Sequence, residues 1–320
     1  MALAVRRSFG LAAEEIAAAS RAALDVPLAE EAELWIARPA GEAIAIGAFQ
    51  RNAGEFGARV VRRGSGGPAA RLGEGTLWVT LLLSRADALT SCDAPRLVNR
   101  YVRPLLRALT KTAALAHFFG RDWVSVKKRP AAWIGFAHDT ESGRAVVEAI
   151  VARATRFDVG ERASYLGKEP GTLEEIAGAP VDEARLADAI VEAYAEAYGR
   201  AAIDRGALPG VSSGLPPFPG PENPVDPPWS ATVAEVIGAL GAGPDRGGRF
   251  RIGGDLLVSR DALARLEARV ATADDGDVGA IVDETLGAPA VALDGVKSLA
   301  SVRDVVLQAR AKGRAAQNRA

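Results

Sequence analysis

Residues 59–77, RVVRRGSGGPAARLGEGTL, place two arginines before a glycine cluster and run on into an apolar strand. That composition suits an anion. Glycines let a backbone bend sharply and turn its N–H groups toward a ligand. Arg62 and Arg63 would add forked cations that match a phosphate or carboxylate, and Ser65 a hydroxyl donor. The competing reading is a tight turn between two strands, which the pattern taken alone favours.

Little else in the chain offers chemistry. Cys92 is the single cysteine, which excludes an intrachain disulfide and fits a reducing compartment. It precedes a predicted helix, a place that lowers a thiol pKa, but an inert thiol is the expectation. The two histidines, His117 and His138, read as surface or capping residues, and with no Cys/His cluster no structural zinc site is expected. Glu174 and Glu175 read as a solvated turn. A net charge of -1 over 320 residues argues against a nucleic-acid coat or a polybasic membrane binder, although local patches stay open. No apolar run approaches the ~18–20 residues of a membrane span, and Glu14 and Glu15 spoil a leader peptide. A soluble cytoplasmic protein is expected.

The elements that must position the loop follow from periodicity. A helix is predicted over 11–24 and strands over 34–38, 43–49, 59–61 and 77–84. A helix carrying Leu97, Tyr101, Leu105 and Leu109, capped by Asp93, should kink at Pro104. Segments 122–127 and 131–138 read as a hairpin, while 145–153 suits helix or strand equally. Residues 182–204 predict a helix begun by Asp182. Residues 208–228 carry eight prolines and read as a semi-rigid linker. A Gly-Gly hairpin, a helix capped by Ser259, and helices over 277–286 and 299–312 follow, with a fraying tail. The order predicts an α+β chain divided into 1–207, a linker at 208–228 and a small unit at 229–320.

Several stretches resemble the lipoate–protein ligase family, within the biotin/lipoate ligase group. Gly47, Phe49 and Gln50 match a strand end. Arg62, Arg63, Ser65, Gly66, Gly67, Ala69, Gly75 and Leu77 match the family's two arginines and glycine loop. Asp122, Arg129, Ala132 and Gly135 fall in register with a later strand and hairpin, and 172–199 is similar to the helix closing the catalytic domain. The likeness covers roughly residues 30–200. It implies a mixed sheet flanked by helices, with a small α/β C-terminal accessory domain. It also implies activation of lipoate or a similar small carboxylic acid with ATP and Mg²⁺, then transfer to a lysine of a lipoyl-domain acceptor. The implied ATP and acyl-adenylate contacts are Arg62, Arg63, Ser65, Gly66, Gly67, Ala69, Gly75, Asp122, Arg129 and Gly135, with Asp122 near Mg²⁺.

The chain departs from that pattern inside the motifs. Pro68 replaces a loop glycine and removes a donor, and Leu72 replaces a histidine. Pro130 stands where the family has a lysine, and Trp133 where it has a glycine. Losing a cation over developing negative charge would cost about 10²–10³ in rate. Lys128 shares a strand face with Pro130 and is the candidate replacement, while Lys127 points away; solvated hairpin lysines are the alternative. Two functions follow: an ATP-dependent acyl ligase, or a non-catalytic homologue whose pocket Pro68, Leu72 and Trp133 fill.

Overall fold

The computed structural model describes residues 2–25, 28, 30–160, 162–209 and 225–317. Its strands and helices run β1 (Ala2–Ala12), α1 (Ala13–Ala22), β2 (Ala32–Ala40), β3 (Ala43–Ile46), β4 (Val60–Arg62), β5 (Ala70–Leu72), β6 (Thr76–Leu83), α2 (Leu97–Tyr101) and α3 (Arg103–Thr112). Next come β7 (Ala116–Phe118), β8 (Trp123–Val126), β9 (Arg129–His138), β10 (Ala145–Ala152), α4 (Leu173–Ala177), α5 (Glu183–Tyr198) and β11 (Ala201–Asp204). The C-terminal part holds β12 (Ala231–Ala234), β13 (Ala239–Pro244), β14 (Phe250–Gly254), β15 (Leu257–Ser259), α6 (Arg260–Thr272), α7 (Val278–Leu286), β16 (Leu293–Asp294) and α8 (Leu299–Gln317). Within the expected linker, residues 210–224 lie outside the described residues.

One ten-stranded mixed sheet organises the chain, in the order β11-β1-β2-β6-β10-β9-β15-β16, with β8 and then β7 also joined to β9. Both faces are covered, so alternate residues of a strand enter different cores. Leu34, Leu81, Ile134 and Val147 pack with Leu105 and Leu109 of α3 and Leu186 and Ile190 of α5. Trp35, Trp78, Trp133 and Ile150 pack on the other side with Ile16 of α1 and with Ala45 and Leu72 of the small β4-β3-β5 sheet. Of residues 145–153, ambiguous in sequence, 145–152 are strand β10, buried throughout between β6 and β9.

The outer edge of β9 is divided. Its first half pairs with β8 and its last two residues with β15, through Val258↔Ala137 and Ser259↔His138. The C-terminal part therefore completes the same sheet as the N-terminal part.

Several expectations change. β1 was not anticipated. The helix predicted to reach 204 ends at Gly199, which takes the left-handed conformation (φ 59°) that suits glycine, and β11 follows. Helix α8 runs to Gln317 rather than 312. Ser259 sits at the start of α6, but its hydroxyl serves Ala292 N (2.9 Å) and His138 Nδ1 (3.0 Å), so His138 is a core residue rather than a surface one. Glu174 and Glu175 are not a bare turn: Thr172 and Glu175 form a capping box on α4, and Glu174 pairs with Arg153 at 2.7 Å. The helix expected to kink at Pro104 splits into α2 and α3 at Val102. Proline has no N–H for the Arg100 carbonyl one turn back. Tyr198 Oη donates to that carbonyl at 3.2 Å, and Tyr194 Oη to Tyr101 O at 2.8 Å. Tyr198 of α5 thus supplies the donor that Pro104 lacks.

Candidate functional site

The glycine loop enters the divided edge of β9. Gly66 N donates to Phe136 O at 2.8 Å, and Gly67 N to Leu256 O, just before β15, at 2.7 Å. A Cβ on Gly66 would stand 2.1 Å from Leu256 O, and Gly67 has φ +93°, so only glycine allows this approach. The two amides that an anion would need are spent on the protein's own carbonyls.

Arg63 is fully buried. Its guanidinium donates to Ala45 O (2.5 Å), Gly67 O (2.8 Å), Pro68 O (2.7 Å) and Gly66 O (3.2 Å). Burial lowers its pKa to about 9, while Glu148 and Asp255 act in the opposite direction. The sequence assigned it to an anion; instead it clamps the loop that it precedes. Trp133 lies over it, 3.8 Å from guanidinium carbon to ring centre. Arg62 is likewise committed, to Gly47 O (3.1 Å), Gln50 O and Asp226 (3.3 Å).

Ser65 Oγ donates to the buried Glu148, which also receives Trp78 Nε1 (2.8 Å) and Thr80 Oγ1 (3.1 Å). Gly135 pairs with Glu148 across β9 and β10, and a Cβ there would meet Ser65 Oγ at 2.6 Å. The structure thus gathers Arg63, Ser65, Gly66, Gly67 and Gly135 around Trp133 and Glu148. Sequence reading missed Glu148, although a lone acid inside the apolar run AVVEAIVAR is a usable signal for a buried hydrogen-bonded carboxylate.

Other expected site residues lie elsewhere. Ala69 packs with Ile44 and Ile46. Gly75 backs closely onto Thr155. Arg129 holds the segment before α4 through Pro170 O (2.8 Å) and Glu175 (2.9 Å). Lys127 and Lys128 are exposed and form the two-residue β8–β9 turn, with φ 46° and 69°. From Lys128 to Ile134, beside the loop, six strand residues span about 20 Å, well beyond the reach of a lysine. Lys128 thus stands at the turn, away from the glycine loop. Cys92 is half-buried, and burial with Asp93 beside it raises the thiol pKa, which keeps it protonated.

Asp122 is buried, and burial raises its carboxyl pKa to about 6 against the opposing Arg162. Arg162 lies 3.6 Å from Asp122 and 3.8 Å from Asp255. A cation already stands between these carboxylates. Among the described residues no group of three or more His, Cys, Asp or Glu side chains is placed to hold a metal. Arg162 is the cation beside Asp122 in this structure, and Asp122 Oδ1 is buried without a hydrogen-bond partner. Beside Arg162 a cleft of about 710 Å³ is lined by Arg156, Asp158, Tyr165 and Lys168 among others. The C-terminal part closes the other side of the cluster. Gln50 Nε2 reaches Asp255 at 2.6 Å, Gly254 N reaches Phe49 O at 2.8 Å, and Arg51 stacks 3.7 Å from the Trp229 ring centre.

The chain aligns in space with the lipoate complex of P. falciparum LipL1 over 96% of its length and 99% of that chain, at TM-score 0.63 and 15% identity. The fold is that of the lipoate–protein ligases. Protein Ta0514 of T. acidophilum aligns over 64% of this chain and 89% of its own, at TM-score 0.51 and 12% identity. Its form with bound lipoic acid gives 0.50 at 12% identity, over 64% of this chain and 90% of its own. No protein-family model matches the chain, and no curated protein matches it. The lipoate–protein ligase fold covers the accessory part as well as the sheet, in line with the small C-terminal α/β unit expected from sequence. Among the described residues no helix is long and apolar enough to cross a membrane.

Proposed function

We propose that this chain is a non-catalytic binding module built on the lipoate–protein ligase fold. The observation that carries this reading is the occupation of the loop site: Trp133 covers Arg63, and Gly66 and Gly67 give their amides to Phe136 and Leu256. In sequence, the arginines and glycines suited an anion, with a tight turn as the competing reading. Their hydrogen bonds support a structural role. They hold the loop into the edge of β9. Pro130 in place of the family's lysine, with Lys128 at the β8–β9 turn, supports the same reading.

A second reading keeps ATP-dependent activation of lipoate or another small acid, and transfer to a lipoyl-domain lysine. The cleft beside Arg162 favours it, because Lys168 lines it together with Arg156, which is paired with Glu169 and Glu175. Calorimetry with ATP and with lipoate or octanoate, beside an assay for acyl-adenylate, separates the readings. The module reading requires no adenylate from the natural protein with either acid. Adenylate formation would overturn it. Heat from ATP without adenylate would assign the cleft to nucleotide binding alone.

A further inference from the structure

We propose that the outer face of α2 and α3, together with the neighbouring edge of β7, is a docking surface for an extended acidic polypeptide segment. The surface is separate from the glycine loop and stands under either reading of that site. Residues 94–121 contain no Asp or Glu, in a chain whose net charge is only -1. They carry Arg96, Arg100, Arg103, Arg107 and Lys111 at three- and four-residue spacing, and Arg103, Arg107 and Lys111 share one side of α3. Arg96, Arg103, Arg107 and Lys111 are exposed. The opposite side of the helix, with Leu105, Ala108 and Leu109, is buried against the sheet.

Like charges at this spacing oppose one another, so the fold gains nothing from the row. Its ends are answered locally: Arg96 is 3.6 Å from Asp93 and Lys111 is 2.8 Å from Glu192. The guanidiniums of Arg100, Arg103 and Arg107 pair with no carboxylate among the described residues. Arg103, Arg107 and Lys111 line a groove of about 530 Å³ with Leu106, Thr110 and Ala116. Ala116 belongs to β7, whose one strand partner among the described residues is β8; on its other edge Thr110 Oγ1 meets Ala116 N at 3.0 Å, and no strand pairs with the rest of that edge. Leu115 and Phe119, at either end of β7, are 61% and 58% exposed.

These features fit one occupant. Successive cations are about 4.5–6 Å apart along the helix axis, and alternate side chains of an extended strand about 6.6 Å apart. Carboxylates at every second position would therefore follow the row. The intervening apolar side chains have Leu115 and Phe119 to meet, and the backbone has the part of the β7 edge beyond the Ala116 amide. A membrane fits less well, because the apolar side of the helix is already buried and cannot enter lipid. Nucleic acid would use the cations but leave the strand edge idle.

The test measures fluorescence anisotropy with a labelled peptide of about eight residues, alternating Glu with Val, and its Gln-for-Glu counterpart. Oligothymidine and phosphatidylcholine vesicles with and without phosphatidylserine serve as competitors. The Glu peptide should bind, weaken with added salt and outperform the Gln peptide. Arg103→Glu with Arg107→Glu should lower its affinity at least about tenfold, while circular dichroism and melting stay unchanged. Arg103→Gln with Arg107→Gln should give a smaller loss in the same direction. No binding of the Glu peptide, equal binding by the double variants, or preference for the oligonucleotide or the anionic vesicles would overturn the proposal.

Discussion

The Arg63 guanidinium carbon lies over the Trp133 ring, 3.8 Å from its centre, with neither residue exposed to solvent. The arginine is thus part of the core, and its loss should register as stability.

Arg63→Ala leaves four backbone carbonyls without their donor, and each buried orphan costs about 1–3 kcal/mol. Urea unfolding should show a loss of several kcal/mol. Arg63→Lys should recover only part, since a single ammonium cannot serve the fork of acceptors. A variant that melts like the natural protein but loses nucleotide binding would return Arg63 to the ligand.

The β8–β9 turn offers a test with two readouts. Positive φ at both Lys127 and Lys128 is the geometry that Asn-Gly suits and a lysine pair resists. Lys127→Asn with Lys128→Gly should stabilise the protein by about 1 kcal/mol. Because Lys128 lies far from the loop, any ligand binding or adenylation should survive the change. Loss of activity without loss of stability would restore Lys128 as a catalytic candidate.

The tyrosine contacts at the α2–α3 junction should be coupled to Pro104. Tyr198→Phe removes the donor to Arg100 O and should cost about 1 kcal/mol. Pro104→Ala supplies a backbone N–H to the same carbonyl, so in that background the tyrosine substitution should cost less. Additive effects in a double-mutant cycle would show that the two groups do not share the carbonyl.

Asp122 predicts a pH dependence. Its folded pKa, about 6, lies above the unfolded value, so between these pH values the folded state holds the extra proton. Stability is then full below pH 4 and is lost as pH rises through 6, by at most a few kcal/mol from this group. Asp122→Asn should flatten that part of the profile, read from urea midpoints between pH 4 and 7.5. An unchanged profile would mean that Arg162 keeps the carboxylate ionised throughout.

What the sequence made legible depended on how local the cause was. The hairpin of β8 and β9 and the start of α5 at Asp182 follow from alternation and from a cap within three residues, and both are present. Strand β1 was hidden because adjacent Arg6 and Arg7 interrupt its apolar pattern. Their partners, Glu33 and Asp188, lie well outside any local window. The site divides the same way. The loop's need for glycine showed in its residues. That its amides would be met by Phe136 and Leu256 did not, because those carbonyls come from distant chain.

That distance has a consequence for biosynthesis. Gly67 and Leu256 are joined by a hydrogen bond, yet at translation rates of about 5–20 residues per second roughly ten to forty seconds separate their appearance. During that interval the N-terminal part holds an unfinished edge on β9, with the Gly67 amide uncapped. β1 likewise waits for β11, which its register pairs with it from Ala2↔Ala201 onward. The nascent chain therefore carries an open edge on β1 until residues 201–204 are made and an unfinished edge on β9 until residues 256–259 are made, a period of exposure to other chains and to chaperones.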